Sequence, residues 1–311
     1  MKNGFFKGHG LGNEYIVLDP AELTFRLTSG RIALLCDREQ GIGSDGVLTL
    51  EDSDSADFGV RIWNPDGSEA ETSGNGLRIL ACYLHATDRT RLESFTVETP
   101  GGLVRVETRY DQRGAVDEAT VHMGRASFRP VALPCTLEVD ELIEQPITVA
   151  DETLTFTGVS VGNPHCVVFH PQGQRWIVTD PHRCDDLLLR RDHLLQFGPV
   201  LETHPIFPKR TNVQLAEPIG PSSIRILIWE RGAGETPSSG SSACAAASAA
   251  VRLGLVTTPV TVESPGGELL VDVDEKFNLR LTGPVAEMAR GTFSESMLQG
   301  ILDRDHEPQT T

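Results

Sequence analysis

Two serines of this 311-residue chain stand where proteins often present a reactive group. Ser73 opens a Gly-Asn-Gly turn before the apolar run 77–84, and Ser239 opens a second Ser-Gly turn before an alanine-rich run. The N-terminus of a helix has unsatisfied N–H groups and about half a positive charge. Each turn therefore predicts a binding site for a small anion, most simply a carboxylate.

A serine hydroxyl is a poor acid–base group by itself. Acid–base catalysis is most effective when the pKa of the group lies near the operating pH, and a serine needs a partner such as histidine or lysine to take its proton. No histidine is adjacent to either serine in sequence, so only the fold decides whether His165 or His204 approaches one of them.

Five asparagines lie in loops flanked by glycine, proline or aspartate. Asparagine in such loops is typical of local turn chemistry, but recurrence at turn or repeat-equivalent positions favours a neutral lining for an amino-acid ligand. Glu230, Arg231 and the glycine-rich segment 231–236 predict a charged clamp beside the second serine turn. The five are Asn13, Asn64, Asn75, Asn163 and Asn212.

The chain contains an internal repeat, which explains why the turns come as a pair. RIWNPDGSEAETSGNG (61–76) resembles LIWERGAGETPSSGSS (227–242), and TVETPGGL (96–103) resembles TVESPGGEL (261–269). LGNEYIVLD (11–19) and VGNPHCVVF (161–169) form a weaker match. Repeats of this length indicate one duplicated domain.

Each copy is predicted to be rich in strands, with one central helix that begins at its Ser-Gly turn. We expect an α+β fold with two similar lobes that face each other across a ligand cleft, because small-molecule sites often form between domains. The predicted N-terminal lobe is 1–126 plus a strand at about 278–295, and the second lobe is 127–277, with a link near 124–132 and a tail at 296–311. β-branched alternation predicts strands at 58–63, 95–99, 103–108, 118–123, 154–161, 224–229 and 260–263, and helices are predicted at 77–86 and 243–254.

Composition excludes several classes of partner. The 27 Lys and Arg against 44 Asp and Glu leave a net charge of −17, which repels nucleic-acid phosphates and anionic membrane surfaces. No apolar stretch approaches the roughly 20 residues of a membrane span, and the N-terminus shows no secretion signal. The six cysteines show neither zinc-ligand spacing nor a disulfide pattern. We therefore expect no bound metal and a cytoplasmic location.

The chain resembles the diaminopimelate epimerase family along nearly its whole length. The central Gly-Asn-Gly turn favours this family over the related proline racemases, whose turn has histidine in the middle. The segments that match are KGHGLGNEYIVLD (7–19), DREQGIGSDGVL (37–48), NPDGSEA (64–70), SGNGLR (73–78), GNPHCVVF (162–169), HPIFPKRTNV (204–213), ERGAGET (230–236) and PGGELLV (265–271).

This resemblance implies a cofactor-free epimerase of lysine biosynthesis that acts on LL- or meso-diaminopimelate. In the family one cysteine thiolate removes the Cα proton and an opposite thiol delivers a proton to the other face. The resemblance implies a homodimer and two pseudo-symmetric lobes, each a sheet wrapped around a central helix. It places the cysteines at Ser73 and Ser239, the α-carboxylate on the backbone N–H groups of Gly74, Asn75, Gly240 and Ser241, and other ligand contacts at Asn13, Asn64, Asn163, Asn212, Glu230 and Arg231.

The chain departs from the family because both thiols are replaced by hydroxyls. Cys82, Cys166 and Cys244 are expected to be buried structural thiols rather than substitutes. Three explanations remain: an epimerase with engineered Cys-to-Ser changes, a natural paralogue with one-sided chemistry such as dehydration or isomerisation, and a non-catalytic amino-acid-binding protein. Thr72 and segment 237–244 also depart from the family, and designed changes would leave these flanks alone.

Overall fold

The computed structural model describes residues 2–149, 152–169 and 186–304. The chain divides into two compact units, the first made of Met1–Val121 and Gly283–Thr311 and the second of His122–Thr282. The boundary at 121/122 lies just before the predicted link at 124–132. Within the described residues no helix is both long and apolar enough to cross a membrane.

Eighteen strands and five α-helices make up the described chain, together with short 3-10 helices at Pro20–Glu22 and Pro130–Ala132. The strands are β1 (Gly4–Gly10), β2 (Asn13–Leu18), β3 (Val47–Glu51), β4 (Phe58–Trp63), β5 (Glu69–Ala70), β6 (Ser94–Thr99), β7 (Gly102–Tyr110), β8 (Val116–Arg125), β9 (Gln145–Val149), β10 (Glu152–Ser160), β11 (Pro164–Phe169), β12 (Asn212–Gly220), β13 (Ser223–Glu230), β14 (Gly234–Thr236), β15 (Val260–Ser264), β16 (Gly267–Val273), β17 (Asn278–Pro284) and β18 (Ala286–Thr292). The helices are α1 (Ser29–Cys36), α2 (Gly74–Ala86), α3 (Asp186–Glu202), α4 (Gly240–Arg252) and α5 (Glu295–Asp303).

The seven strands and two helices predicted from the sequence are confirmed as β4, β6, β7, β8, β10, β13, β15, α2 and α4. Both helices begin three residues before their predicted apolar runs. The reason is local, since the serine is the N-cap and the small residues after it already have helical geometry.

The two units repeat one strand connectivity. In the first, β2 pairs parallel with β3, β3 antiparallel with β4, and β4 antiparallel with β5 and parallel with β6. In the second, β11, β12, β13, β14 and β15 pair in the same senses. Even the register is kept, because Ile62 pairs with Ala70 and Ile228 with Thr236, both displaced by 166 residues. The internal repeat is therefore a duplicated fold.

One helix is buried within each unit. Eleven of the thirteen residues of α2 are buried, and this helix packs against β1, β2, β7 and β18. Ten of the thirteen residues of α4 are buried, and its alanines pack against strands β10 to β13, β15 and β16. The fold is thus α+β, and in each unit the strands pack around one central helix.

Residues 296–303, which the sequence assigns to the tail at 296–311, form most of α5. Ser294 caps this helix by accepting from Met297 N–H, and Ile301 is buried among Ile16, Leu35 and other apolar side chains of the first unit. The Arg31 guanidinium also donates to the Ile301 carbonyl at 2.9 Å. The helix therefore packs on the core of the first unit through Ile301, with Met297 and Leu298 partly buried beside it.

Candidate active site

Ser73 lies at the N-cap of α2 with an extended backbone, φ −139°. Its hydroxyl oxygen accepts from Gly76 N–H at 3.0 Å, which satisfies one of the free donors of the first turn. The hydroxyl donates to the Tyr15 phenol oxygen at 3.3 Å. Ser73 is therefore held from both sides, and one of its partners is titratable.

Tyr15 is a site residue that the sequence reasoning missed. It lies on β2 two residues after Asn13, so both side chains leave the strand on the same face. Only 8% of Tyr15 is exposed, and a Cβ on Gly46 would come within 2.6 Å of its ring. The sequence carries a signal for Tyr15, because the i+2 neighbour of Asn13 on a strand lies on the same face as Asn13.

Asn13 and Asn75 lie in a hydrogen-bonded chain with a charge at each end. Asn13 donates to the Asp45 carboxylate at 3.1 Å, Asn75 donates to the Asn13 side-chain oxygen at 3.0 Å, and the buried Arg78 guanidinium donates to Asn75. An acceptor at one end and a donor at the other determine how both amides are oriented. Sequence reasoning used only the backbone N–H of Asn75, and the structure adds its side chain.

Charged residues surround Asn13. Glu14 forms ion pairs with Lys7 at 2.7 Å and with Arg38 at 3.4 Å, and Arg38 also pairs with Asp45 at 2.8 Å. The hydrogen bond to Asp45 raises the pKa of Arg38, so its positive charge is retained at every physiological pH. The edge of the first unit beside Asn13 thus has charges of both signs.

Asn64 makes the local turn contacts that are usual for asparagine. Its backbone N–H donates to the Ser68 carbonyl at 2.8 Å and its side chain donates to the Ser68 hydroxyl at 3.0 Å, within the turn between β4 and β5. No described hydrogen bond joins Asn64 to Ser73. Its predicted contact with a ligand stays a prediction.

Ser239 is the N-cap of α4 with φ −150°, and it differs from Ser73 in its contacts. Its side chain makes no capping bond, and its oxygen lies 3.4 Å from the Ser241 hydroxyl oxygen. Ser241 in turn accepts from the Asn163 side chain at 3.4 Å. The second turn is therefore a group of hydroxyls and an amide.

His165 lies behind this group and is not a base at neutral pH. Its Nε2 is 2.9 Å from the Asn163 side-chain oxygen, and because an amide oxygen only accepts, Nε2 is the protonated nitrogen. Complete burial lowers the pKa of His165 to about 3, and the positive charge of Arg231 lowers it further, against a raising effect of the nearby Gln214 side chain. The imidazole is neutral and orients Asn163.

Asn212 and Arg231 are joined directly. The buried Asn212 side chain accepts from Arg231 N–H at 2.9 Å and donates to the Pro164 carbonyl at 3.0 Å. Glu202, which sequence reasoning also missed, accepts from Gly232 N–H at 2.9 Å and from the Trp229 indole at 2.8 Å. These bonds hold the turn that presents Arg231, while Glu230 lies at the end of β13.

Comparison with known proteins shows the family of the chain. Residues 5–129 and 157–287 match the diaminopimelate epimerase family. The chain belongs to the diaminopimelate epimerase family. It is 40% identical over 291 residues to diaminopimelate epimerase 2 of Nostoc sp. PCC 7120, covering 93% of this chain and 95% of that one. It is 38% identical over 297 residues to the diaminopimelate epimerase of Synechococcus elongatus, covering 94% and 99%.

A solved structure supports the fold assignment at lower identity. The hydroxyproline epimerase of Agrobacterium vitis, solved with trans-4-hydroxy-L-proline, matches with a TM-score of 0.66 at 15% identity, over 94% of this chain and 93% of that one. At this identity the likeness concerns the fold alone. The family assignment rests on the sequence relatives.

None of the described cysteines takes the place of the family thiols. Cys82, Cys166 and Cys244 are buried, as predicted, and Cys36 is buried too. Burial raises the pKa of Cys82 to about 11 and raises the pKa of Cys166 as well. Cys184 lies outside the described residues. Among the described residues no group of His, Cys, Asp or Glu is arranged to hold a metal ion.

The predicted site residues form a group in each unit. In the first unit Asn13, Ser73 and Asn75 lie together, with Gly74 buried in the first turn of α2. In the second, Asn163, Ser239 and Ser241 lie together beside the buried Gly240, and Asn212 holds Arg231. Each turn offers backbone N–H groups without helical partners, the usual way to bind a carboxylate. The ligand roles of these residues remain predictions.

Proposed function

We propose that the protein is a cofactor-independent amino-acid epimerase that interconverts LL- and meso-diaminopimelate, with Ser73 and Ser239 at the two proton-transfer positions. The observation that supports the proposal most strongly is the family relationship over nearly the whole chain together with a serine N-cap on each repeat-equivalent helix. The names of the relatives supply the substrate.

The proposed chemistry begins with the α-carboxylate on the N–H groups of the two helix starts. These donors stabilise the charge that moves into the carboxylate when the Cα proton leaves. Gly74 and Asn75 supply them in the first unit, and Gly240 and Ser241 in the second. Asn13, Asn64, Asn163, Asn212, Glu230 and Arg231 would orient the rest of the substrate.

A test follows Cα–H exchange of diaminopimelate in D₂O by NMR. Exchange with inversion is the expected result. Exchange without inversion indicates one-sided chemistry, and saturable binding without exchange indicates an amino-acid-binding protein. Either of these two results contradicts the epimerase proposal.

A restored thiol pair sharpens this test. The double variant Ser73→Cys/Ser239→Cys is expected to epimerise diaminopimelate faster than the wild type, because a thiol has a reference pKa near 8.5. Ser294→Cys is the matched control, since Ser294 is also a helix N-cap but lies on α5 outside both groups. A double variant that does not epimerise diaminopimelate refutes diaminopimelate as the substrate.

One observation favours the one-sided alternative as the second candidate. Ser73 contacts a titratable phenol directly, whereas the only described side-chain contact of Ser239 is another serine. Unequal partners suit a reaction that moves a proton at one face of Cα more readily than at the other. The NMR experiment distinguishes the two candidates through the stereochemistry of the exchanged product.

We further propose that the protein works in the cytoplasm as a homodimer. The five described cysteines are free thiols, which suits a reducing compartment. The dimer follows from the family resemblance alone. Sedimentation of the purified chain tests the dimer, and fractionation of the source cells tests the location.

A further inference from the structure

The contact between Ser73 and Tyr15 is unexplained by any role assigned so far. The Ser73 Oγ and the Tyr15 phenol oxygen are 3.3 Å apart, longer than the usual 2.5–3.0 Å of an O–H···O bond. Hydrogen bonds of catalytic groups are often long without substrate and tighten in the complex. Gly76 N–H occupies a lone pair of the Ser73 oxygen and leaves its hydrogen directed to the phenol.

A phenol supplies what a serine lacks. The reference pKa of tyrosine is about 10, within reach of the thiol value of about 8.5, and the phenol both donates and accepts. Tyr15 lies beside the N-terminus of α2, where negative charge is stabilised. Among the described hydrogen bonds of the two serine hydroxyls, the bond from Ser73 to Tyr15 is the one that involves a titratable side chain.

We propose that Tyr15 is the proton donor and acceptor that acts through Ser73, so that the phenol and the hydroxyl together replace the thiol of the family. This inference rests on the proposed function. It names a residue for which the family resemblance supplies no role, and it explains how a hydroxyl at position 73 takes part in proton transfer.

The proton balance closes within this pair. When the Cα proton leaves, the Tyr15 phenolate takes the Ser73 hydroxyl proton along the observed hydrogen bond, and the Ser73 oxygen takes the proton from Cα, whose electron pair moves toward the carboxylate. The phenol formed in this way releases its proton to solvent, or returns it through Ser73 when Cα is protonated by the reverse path. No oxidant or second reactant is needed.

The surrounding backbone holds the phenol in this place. Tyr15 pairs with Gly8 on β1, and its ring occupies the space that a side chain at Gly46 would fill. Asn13, on the same face of β2, is hydrogen-bonded to Asn75, two residues after Ser73. The same strand therefore positions both the amide and the phenol against the start of α2.

The second unit offers a natural contrast. The repeat aligns Tyr15 with His165, each two residues after a Gly-Asn pair. Among the described contacts, His165 is linked to Ser239 through Asn163 and Ser241, and its imidazole is neutral and fully buried. A direct titratable partner is thus a feature of the first unit alone among the described contacts.

The test is Tyr15→Phe in two backgrounds, the wild type and Ser73→Cys, with diaminopimelate as substrate. With Ser73 present we expect kcat to fall by about 100-fold or more, as for loss of an acid–base group, with KM changed less than about threefold. In the Ser73→Cys background the loss should shrink to under about fivefold, because the thiol needs no phenol. Tyr83→Phe, a buried tyrosine of α2 that contacts Phe6, is the matched control and should keep kcat.

Each outcome of this experiment either supports or contradicts the role of Tyr15. An equal loss in both backgrounds reveals a structural role and overturns the proposal, as does an unchanged kcat. If Tyr15→Phe fails to fold, 3-fluorotyrosine at position 15 keeps the shape of the side chain and lowers the phenol pKa. A kcat that is unchanged by this substitution also overturns the proposal. An active wild type with an active Tyr15→Phe variant refutes only the role of Tyr15. A wild type that exchanges no Cα proton refutes the proposed function and this inference together.

Discussion

The two serine turns have the same backbone and different side-chain surroundings. Both serines are N-caps with extended dihedrals, before helices that are displaced by 166 residues. Ser73 caps its helix and donates to a phenol, whereas Ser239 makes no capping bond and meets Ser241. Duplication has preserved the connectivity and register of the strands while the groups behind each serine diverged.

The difference teaches that backbone equivalence does not imply chemical equivalence. A turn, a helix start and a strand register depend on glycine, small residues and apolar alternation, and both copies keep these. Proton transfer depends on which side chain lies within hydrogen-bonding distance. Tyr15 and His165 occupy equivalent places in the repeat, yet one bonds its serine directly and the other is two residues removed.

The largest effect is expected from single thiol substitutions. Ser239→Cys should raise the rate of Cα–H exchange by about 100-fold and Ser73→Cys by about tenfold, because acid–base groups are worth 10²–10⁴ and Ser73 already has a partner. NMR exchange rates in D₂O measure both, with Ser294→Cys as the control. Equal gains would remove the proposed inequality between the two turns.

A smaller effect concerns stability in acid. The pKa of His165 lies near 3 in the folded protein and near 6.5 in the unfolded chain, so between these values the unfolded state holds one proton more. The free energy of unfolding should therefore fall as the pH drops below about 6.5, by about 1.4 kcal/mol per unit from this group. Urea unfolding of wild type and His165→Gln at pH 7 and 5 measures it. Parallel losses in the two proteins would show that His165 contributes nothing.

Loss of the Asp45 charge, which holds Asn13, is expected to change KM by about tenfold. Asp45→Asn replaces a carboxylate that accepts from Asn13 and from Glu14 N–H, and hydrogen bonds to charged groups are worth about 1.5–3 kcal/mol. We expect KM for diaminopimelate to rise by about tenfold or more with a small change in kcat. Asp111→Asn, in an exposed turn of the same unit, is the matched control. An unchanged KM would exclude Asn13 from substrate binding.

The smallest expected effect is the difference in stability lost when each serine N-cap is replaced by alanine. Ser73→Ala should cost about 1 kcal/mol of stability, since it removes a capping bond. Ser239→Ala should cost less than about 0.5 kcal/mol, because Ser239 makes no such bond. Thermal unfolding of the two variants beside wild type measures the difference. A larger loss in Ser239→Ala would reverse the comparison between the turns.

Much of the fold was predictable from short-range patterns. The strands and both buried helices follow from β-branched alternation and from Ser-Gly turns before apolar runs. The sequence assigns residues 296–311 to a tail, whereas 296–303 form most of α5, because the apolar side of this short helix is recognisable only by the core that receives it. Ile301 and Arg31 are 270 residues apart in sequence and adjacent in the first unit.

The candidate site was predictable in its backbone and less so in its side chains. Asn13, Ser73 and Asn75 were found as motif positions, but Tyr15 and Asp45 were not. A phenol in an apolar strand resembles any core aromatic. Asp45 becomes significant only when the parallel pairing of β2 with β3 brings it beside Asn13.

The sequence by itself determined the duplication, the family, the two serine helix starts and the absence of thiols there. These follow from local patterns and from matching segments in order. The tertiary structure decided which group stands behind each serine: Tyr15 for Ser73, 58 residues away, and Ser241, Asn163 and His165 for Ser239. Such partners meet through strand pairing and helix packing across long stretches of chain, and the chemistry of a hydroxyl depends on those neighbours more than on its own residue type.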